Sequence, residues 1–276
     1  IRSCEEITVD PMKNIGIKAA RAASRVMLHN IERLDQLEIE KKGRADFDSQ
    51  VDRGAEEIII DTIRGAYPDH AILAEESGIH GDQEQSEYEW IIDPLDGTTN
   101  YLHGLPVYAI SIALRVKGTL QAAVVYDPSR DELFTASRGK GAHLNNRRIR
   151  VSATSRLSDA LLATGFPYND MQYLDPWIGS FRALVPHVAG IRRPGSAALD
   201  LAQVACGRFD GFWEFGLNAW DIAAGLLLIQ EAGGLSSDMK GQQRMLETGH
   251  VIAGNPRLFN KVQTLVREHA KSLDNI

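Results

Sequence analysis

Four strand-like stretches follow one another in the middle of the chain: Val107 to Val116, Leu120 to Tyr126, Glu132 to Ala136 and Ala142 to Val151. Only short turns separate them, at Lys117-Gly118, Asp127-Pro128 and Gly139-Lys140-Gly141, so this stretch reads as a run of successive strands. Helical patterns precede it. Ile15, Ala19, Ala22, Ala23 and Val26 recur at helical spacing between Met12 and about Asn30. Val51, Ala55, Ile58, Ile59, Thr62 and Ile63 mark a second helix, closed by Gly65 and Pro68. Asp46 to Ser49 reads as a loop, Ala71 to Ala74 as a short strand, and Tyr88 to Ile92 as a strand stopped by Pro94. Beyond the run the pattern alternates: strands at Leu161–Thr164, Phe209–Glu214 and Val251–Ala253, and helices at Tyr173–Val185, Ala197–Ala205, Asp221–Ala232 and Pro256 to about His269. Helix pairs, a run of strands and then mixed units predict an α/β (α+β) layered sandwich. The chain is long enough, at 276 residues, to bury a core without staples. Residues 12–276 are expected to form one catalytic domain with sub-layers of about 12–155 and 156–276, because no linker marks the boundary near Ser155. Residues 1–11, polar and unpatterned up to Asp10, read as an N-terminal extension or remnant.

Composition removes several function classes. Acidic side chains number 37 against 30 basic ones, a net charge of −7 that argues against a general electrostatic grip on nucleic acid or an anionic membrane. The two cysteines, Cys4 and Cys206, exclude a disulfide framework or a four-cysteine zinc site and suggest a cytoplasmic setting. Apolar runs such as Ala223 to Ile229 are far too short to span a bilayer. There is no P-loop, no nucleophile elbow, no H-E-x-x-H, and no Cys–Arg pair at phosphatase spacing.

Three acidic clusters remain: Ala74-Glu75-Glu76-Ser77-Gly78, Trp90 to Asn100, and Trp220-Asp221-Ile222-Ala223-Ala224-Gly225. In the second, an apolar strand delivers Asp93, and Asp96 lies one turn away. Two carboxylates with the free carbonyl of Leu95 are hard oxygen ligands suited to Mg²⁺. Gly97-Thr98-Thr99 follows at once with unobstructed N–H groups, which is how a chain cradles phosphate. Metal ligands followed by an anion nest suggest metal-assisted phosphate chemistry. Taken singly, Glu75-Glu76 is equally a solvated loop, and Asp221 equally the cap of its helix.

The three clusters together resemble the inositol monophosphatase family. WIIDPLDGTTN (Trp90 to Asn100) looks like its first signature, WDIAAGLLLIQEAGG (Trp220 to Gly234) like its second, and AEESG (Ala74 to Gly78) like its metal-binding glutamate segment. The resemblance runs from about Met12 to at least Phe259. Asp10-Pro11-Met12, Leu162 to Pro167 and Arg192 to Asp200 point to the bacterial SuhB-type branch. It implies an αβαβα fold, two or three Mg²⁺ per site, lithium sensitivity and a homodimer. Carried over by position, Glu75, Asp93 and the Leu95 carbonyl match ligands of a first metal. Asp93, Asp96 and Asp221 match those of a second, and Glu75 also adjoins a weaker third. Thr98 and Asp52 match the pair that orients the attacking water, although Asp52 alone reads as the N-cap of the helix from Arg53 to Ile63. The implied substrate contacts are Leu95, Asp96, Gly97, Thr98, Arg193, Gly195, Ser196, Ala197, Glu214 and Asp221. Glu214 matches a residue that hydrogen-bonds an inositol hydroxyl and is otherwise an ordinary strand-end acid; Arg193 faces either the substrate or a subunit partner. The implied activity is hydrolysis of myo-inositol 1-phosphate. Sister phosphatases acting on a sugar bisphosphate, a phosphonucleotide, NADP or histidinol phosphate are alternatives, as is a binding role in RNA polymerase antitermination complexes. No membrane association and no direct sequence-specific nucleic-acid binding are expected.

Overall fold

The computed structural model describes residues 9–36, 39–43, 46–168, 170–270 and 273, with the side chains of 35–49 outside the description. Helix α1 (Val9–Asn30) begins ahead of Met12, so residues 9–11 belong to the helix and not to an extension. Asp10 ties this first turn to Ser137 and Lys140. A hairpin follows, β1 (Ile39–Gly43) paired antiparallel with β2 (Asp46–Ser49). The expected loop at Asp46–Ser49 is therefore a strand; a ribbon without apolar alternation leaves no period to read.

Next come α2 (Gln50–Ala66), β3 (Ala71–Ala74), β4 (Gly78–His80), β5 (Tyr88–Asp96), α3 (Thr98–Leu102), β6 (Ala109–Val116), β7 (Thr119–Asp127), β8 (Glu132–Ser137), β9 (Gly141–Leu144) and β10 (Arg147–Arg148). They build an eight-stranded sheet in the order β10-β9-β8-β7-β6-β5-β3-β4, in which only β3 and β5 pair in parallel. Strand β5 does not stop at Pro94. Its pairing with β6 skips from Asp93↔Ser111 to Asp96↔Ala109, and the proline, lacking an N–H, falls in that interruption. The stretch from Ala142 to Val151 folds back at Asn145 and Asn146, whose φ values of 46° and 63° suit a tight hairpin turn.

The remaining elements are β11 (Leu161–Thr164), α4 (Leu174–Leu184), β12 (Gly190–Arg192), α5 (Ala197–Ala205), β13 (Gly211–Glu214), α6 (Ala219–Glu231), β14 (Leu235–Ser237), α7 (Met245–Thr248), β15 (Val251–Gly254) and α8 (Phe259–His269). The second sheet has the order β12-β11-β13-β15-β14. The short strands β4, β12 and β14 carry too few residues to show a period.

Strand alternation sets the layers. Trp90, Ile92, Ile112 and Val124 of the first sheet pack with Ala19, Ala23, Ala55 and Ile59 of α1 and α2. Ile91, Ala113, Ala123, Val125 and Phe134, on the opposite face, join α5 and α6. The same middle core includes Ala163, Phe212 and Ala253 of the second sheet, whereas Leu162, Trp213 and Ile252 face α4 and α8. The result is the expected αβαβα sandwich. Helix α6 is buried at every position from Ile222 to Ile229, as a helix must be when sheets cover it on both sides. Among the described residues no helix is long and apolar enough to cross a membrane.

The middle layer depends on close approach of its two helices. A Cβ on Gly225 of α6 would lie 2.5 Å from the Cβ of Leu201 on α5, an atom the backbone itself holds in place. Gly225→Ala is expected to cost about 1–3 kcal/mol by overpacking and to lower Tm by several degrees, measured by thermal unfolding.

Candidate active site

Two parallel strands end side by side at the site. β3 pairs with β5 through Ala74↔Ile92, and the next residue, Glu75, donates its N–H to the Ile92 carbonyl at 3.2 Å. This register sets Glu75 beside Asp93, and their carboxyl groups are in hydrogen-bonding contact. Asp93 Oδ1 accepts the Leu95 N–H at 2.9 Å. The Leu95 side chain is buried in the α1–α2 core, while its carbonyl oxygen lies 3.0 Å from Thr98 Oγ1.

The Thr98 hydroxyl also donates to Asp52 Oδ1 at 3.0 Å. Asp52 is the third residue of α2, which starts at Gln50, and it is fully buried. The simple N-cap reading is thus overturned: its carboxylate is spent on a residue 46 positions away. Gly97 has φ of +98°, and a Cβ there would lie 2.9 Å from the Val107 carbonyl oxygen, so only glycine fits the turn into α3. Asn100 Nδ2 donates to the carbonyls of Val107 and Pro194, both at 2.9 Å, and so draws the segment Arg193–Ser196 against this turn.

Asp96 and Asp221 are likewise anchored. Asp96 Oδ2 accepts from Ser196 Oγ at 2.6 Å and from the Ala198 N–H at 2.7 Å, at the start of α5. Asp221 is not the cap of α6. The cap is Asn218, and Asp221 is the third residue of a capping box whose Oδ2 accepts the Asn218 N–H at 2.7 Å. Asp93, Asp96 and Asp221 therefore each have one oxygen held by the chain, which fixes the direction of the other.

A cavity of about 420 Å³ is lined by Glu75, Gly97, Thr98, Gly195, Glu214 and Asp221 among others. A deeper recess of about 130 Å³ adds Asp96, Ser196, Ala197 and Asp200. Arg193 borders both, exposed, with its guanidinium 5.2 Å from the Phe166 ring centre and 5.1 Å from that of Tyr168. Asn100, Gly165, Asp200, Phe166 and Tyr168 were given no role from the sequence. Asn100 closes the quoted Trp90–Asn100 motif, and the others fall within or beside the Leu162–Pro167 and Arg192–Asp200 segments, but no local pattern marks them as cavity-lining.

Burial, with mutual repulsion added, raises the pKa of the acids at the site. Burial, then the charge of Asp221, keeps Glu75 well above the usual carboxylate range; burial, then Glu75, does the same for Asp93. Burial lifts Asp96 to about 6 despite its bonds to Ser196 and Ala198. Burial and the nearby Asp96 lift Asp221 to about 8, and burial lifts Glu214 to about 8 against the pull of Arg193. Among the described residues, no three His, Cys, Asp or Glu side chains already close on one point as a metal site. What the fold presents is a set of hard oxygen donors, with one oxygen of each aspartate tethered and an excess of negative charge. That set fits a divalent cation such as Mg²⁺, and it offers no nitrogen or sulfur for softer metals.

Residues 8–271 match the model of the family described as the inositol monophosphatase family. The chain is 53% identical over 264 residues to the Nus factor SuhB of Pseudomonas aeruginosa, covering 95% of this chain and 97% of that protein. It is 50% identical over 258 residues to the Nus factor SuhB of Escherichia coli, covering 94% and 96%. Among solved structures, the extragenic suppressor protein SuhB of Bartonella henselae superposes with a TM-score of 0.89 at 45% identity, over 93% of this chain and 98% of that one. The inositol monophosphatase of Anabaena (Nostoc) superposes with a TM-score of 0.83 at 40% identity, over 94% and 96%.

A carboxyl whose pKa is raised by folding stabilises the protein fully below the ordinary carboxylate range, and that contribution is lost as pH rises through the folded value. With folded values of about 6 for Asp96 and about 8 for Asp221 and Glu214, the metal-free protein is expected to lose Tm between pH 5 and pH 8. Millimolar Mg²⁺, which binds the deprotonated groups, should restore most at pH 8. Thermal unfolding in chelator and in Mg²⁺ across this range is the measurement; a flat profile indifferent to Mg²⁺ would contradict the account.

Proposed function

The chain belongs to the inositol monophosphatase family, and on that footing we propose that it is a Mg²⁺-dependent phosphomonoesterase that hydrolyses myo-inositol 1-phosphate. The observation that carries this is the grouping of Glu75, Asp96 and Asp221 closely enough around the buried Asp93 to act on it, beside a threonine whose hydroxyl is pinned by a buried aspartate. Glu75, Asp93 and the Leu95 carbonyl would hold one Mg²⁺, and Asp93, Asp96 and Asp221 a second, supplying a water of lowered pKa and positive charge for the phosphate and the departing oxygen.

The chain's own groups do the rest. Thr98 gives its single hydroxyl proton to Asp52 or to the Leu95 carbonyl, so its lone pairs are left to accept a hydrogen bond from the attacking water and to aim it. The N–H groups of Gly97 and Thr98 would hold phosphate oxygens, on a turn that Asn100 ties to Val107 and Pro194. Glu214, which lines both cavity and recess, would bind a hydroxyl of the alcohol half, with Gly195, Ser196 and Ala197 lining the recess beside it. The volume of about 420 Å³ falls within the range of small-molecule sites.

The names of the relatives support a second role. Proteins called Nus factor SuhB share about half of their residues with this chain over nearly its whole length. Binding to RNA polymerase antitermination factors is proposed alongside catalysis, on an exterior that leaves the cavity free, and the protein is proposed to work as a homodimer.

Phosphate release from a panel of inositol, sugar, nucleotide and histidinol phosphates, with and without Mg²⁺ and Li⁺, tests the first role. Asp93→Asn should abolish release, and Thr98→Ala should lower kcat by about 10²-fold with little change in KM. Retained turnover in Asp93→Asn would remove the assigned ligand set. The same inactive variant should still co-purify with transcription complexes if the second role is independent of the first.

A further inference from the structure

The deeper recess contains two features that no step above uses. One is Gly165, at the end of β11. β11 and β13 run parallel with Thr164 opposite Trp213, so Gly165 lies beside Glu214. The register is clamped: Thr164 Oγ1 donates to the Trp213 carbonyl at 2.7 Å and accepts from Trp177 Nε1 at 3.0 Å. On this fixed backbone, a Cβ at position 165 would lie 1.9 Å from Glu214 Oε1, 2.1 Å from its carboxyl carbon and 2.3 Å from Oε2. Gly165 has no left-handed φ, so its backbone does not call for glycine. What calls for it is the Glu214 carboxyl, which rests in the space a side chain would fill.

The other is Asp200, in the first turn of α5. It is 1% exposed, borders the recess with Glu214, and its Oδ1 has no hydrogen-bond partner among the described residues. A buried carboxyl that nothing satisfies is costly, and its presence calls for a reason. Burial, then the neighbouring Glu214, raises it well above the usual carboxylate range, so it sets no fixed negative charge against that group. Arg193 is the cation that acts on both.

We propose that Gly165 is a positioning residue that seats the Glu214 carboxyl by leaving space for it, and so sets which alcohol half the enzyme accepts. The last clause rests on the phosphomonoesterase activity proposed above; the seating does not.

Gly165→Ala tests it in the full-length protein. The obstructed atoms are the far end of a flexible side chain, so the fold survives and the carboxyl moves. A crystal structure of the variant should show that group displaced by on the order of 1.5 Å, the distance needed to reach ordinary contact. With Mg²⁺, KM for myo-inositol 1-phosphate should rise about tenfold with kcat held, the worth of one hydroxyl hydrogen bond. Kinetics with p-nitrophenyl phosphate, whose alcohol half carries no hydroxyl, should stay within about twofold. Gly165→Ala combined with Glu214→Ala should be no worse than Glu214→Ala alone. An unmoved Glu214 in Gly165→Ala, equal losses on both substrates, or additive effects in the double variant would overturn the proposal. Absence of wild-type turnover on every ester would sink the activity, while the crystal structure alone would still decide the seating.

Discussion

The carboxylate of Asp96 joins the two halves of the molecule. It ends β5 in the first sheet, and its Oδ2 receives the Ser196 hydroxyl and the Ala198 N–H at the beginning of α5. Without it, the first turn of a buried helix would keep unsatisfied donors, and the end of β5 would have no long-range anchor. Asn100 makes a second stitch a few residues later, from the Gly97 turn to the carbonyls of Pro194 and Gly195. The contacts that hold the sheets in register across the α5–α6 layer are therefore the contacts that shape the cavity. Fold and site are built from the same bonds.

That economy has an electrostatic consequence. Glu75, Asp93, Asp96, Asp200, Glu214 and Asp221 crowd one region, and Arg193 is the cation that acts on Asp96, Asp200 and Glu214. Protonation relieves the repulsion when no metal is bound, and a divalent cation would relieve it better. A net charge of −7 would look awkward for a phosphatase, but under the proposed function the acids at the cavity would be covered by cations. The overall charge of the chain thus says little about the sign of the working site.

Much of this was legible in the residues. Periodicity found α1, α2, α6 and α8, because each buries a face or a whole surface, and the strands of the first sheet, because their side chains alternate between two cores. The start of β5 and the ligand-bearing turn from Asp93 to Thr98 could be read because their chemistry is local: Asp93 to Leu95, and Leu95 to Thr98, are bonds between near neighbours, although the strand runs past Pro94 to Asp96. The β1–β2 ribbon was missed because its strands carry no apolar period, and β4, β12 and β14 because they are too short to show one. Asp52 and Asp221 both looked like helix caps. One is a buried partner of Thr98, and the other is the third residue of a capping box, distinctions that a one-dimensional pattern does not contain.

The sequence by itself determined which ligand atoms are available and where they leave the strands: carboxylates at positions 75, 93, 96 and 221, a free carbonyl at 95, and a glycine turn at 97 that only a residue without Cβ can make. Tertiary structure decided which oxygen of Asp96 is tethered, that Asp52 serves Thr98, and that Gly165 makes room for Glu214. The physical reason is range. Strand ends and turns follow from bonds between neighbours, whereas the aim of a buried carboxyl follows from donors 46 or 100 residues away, which reach it only after both sheets have packed on α5 and α6.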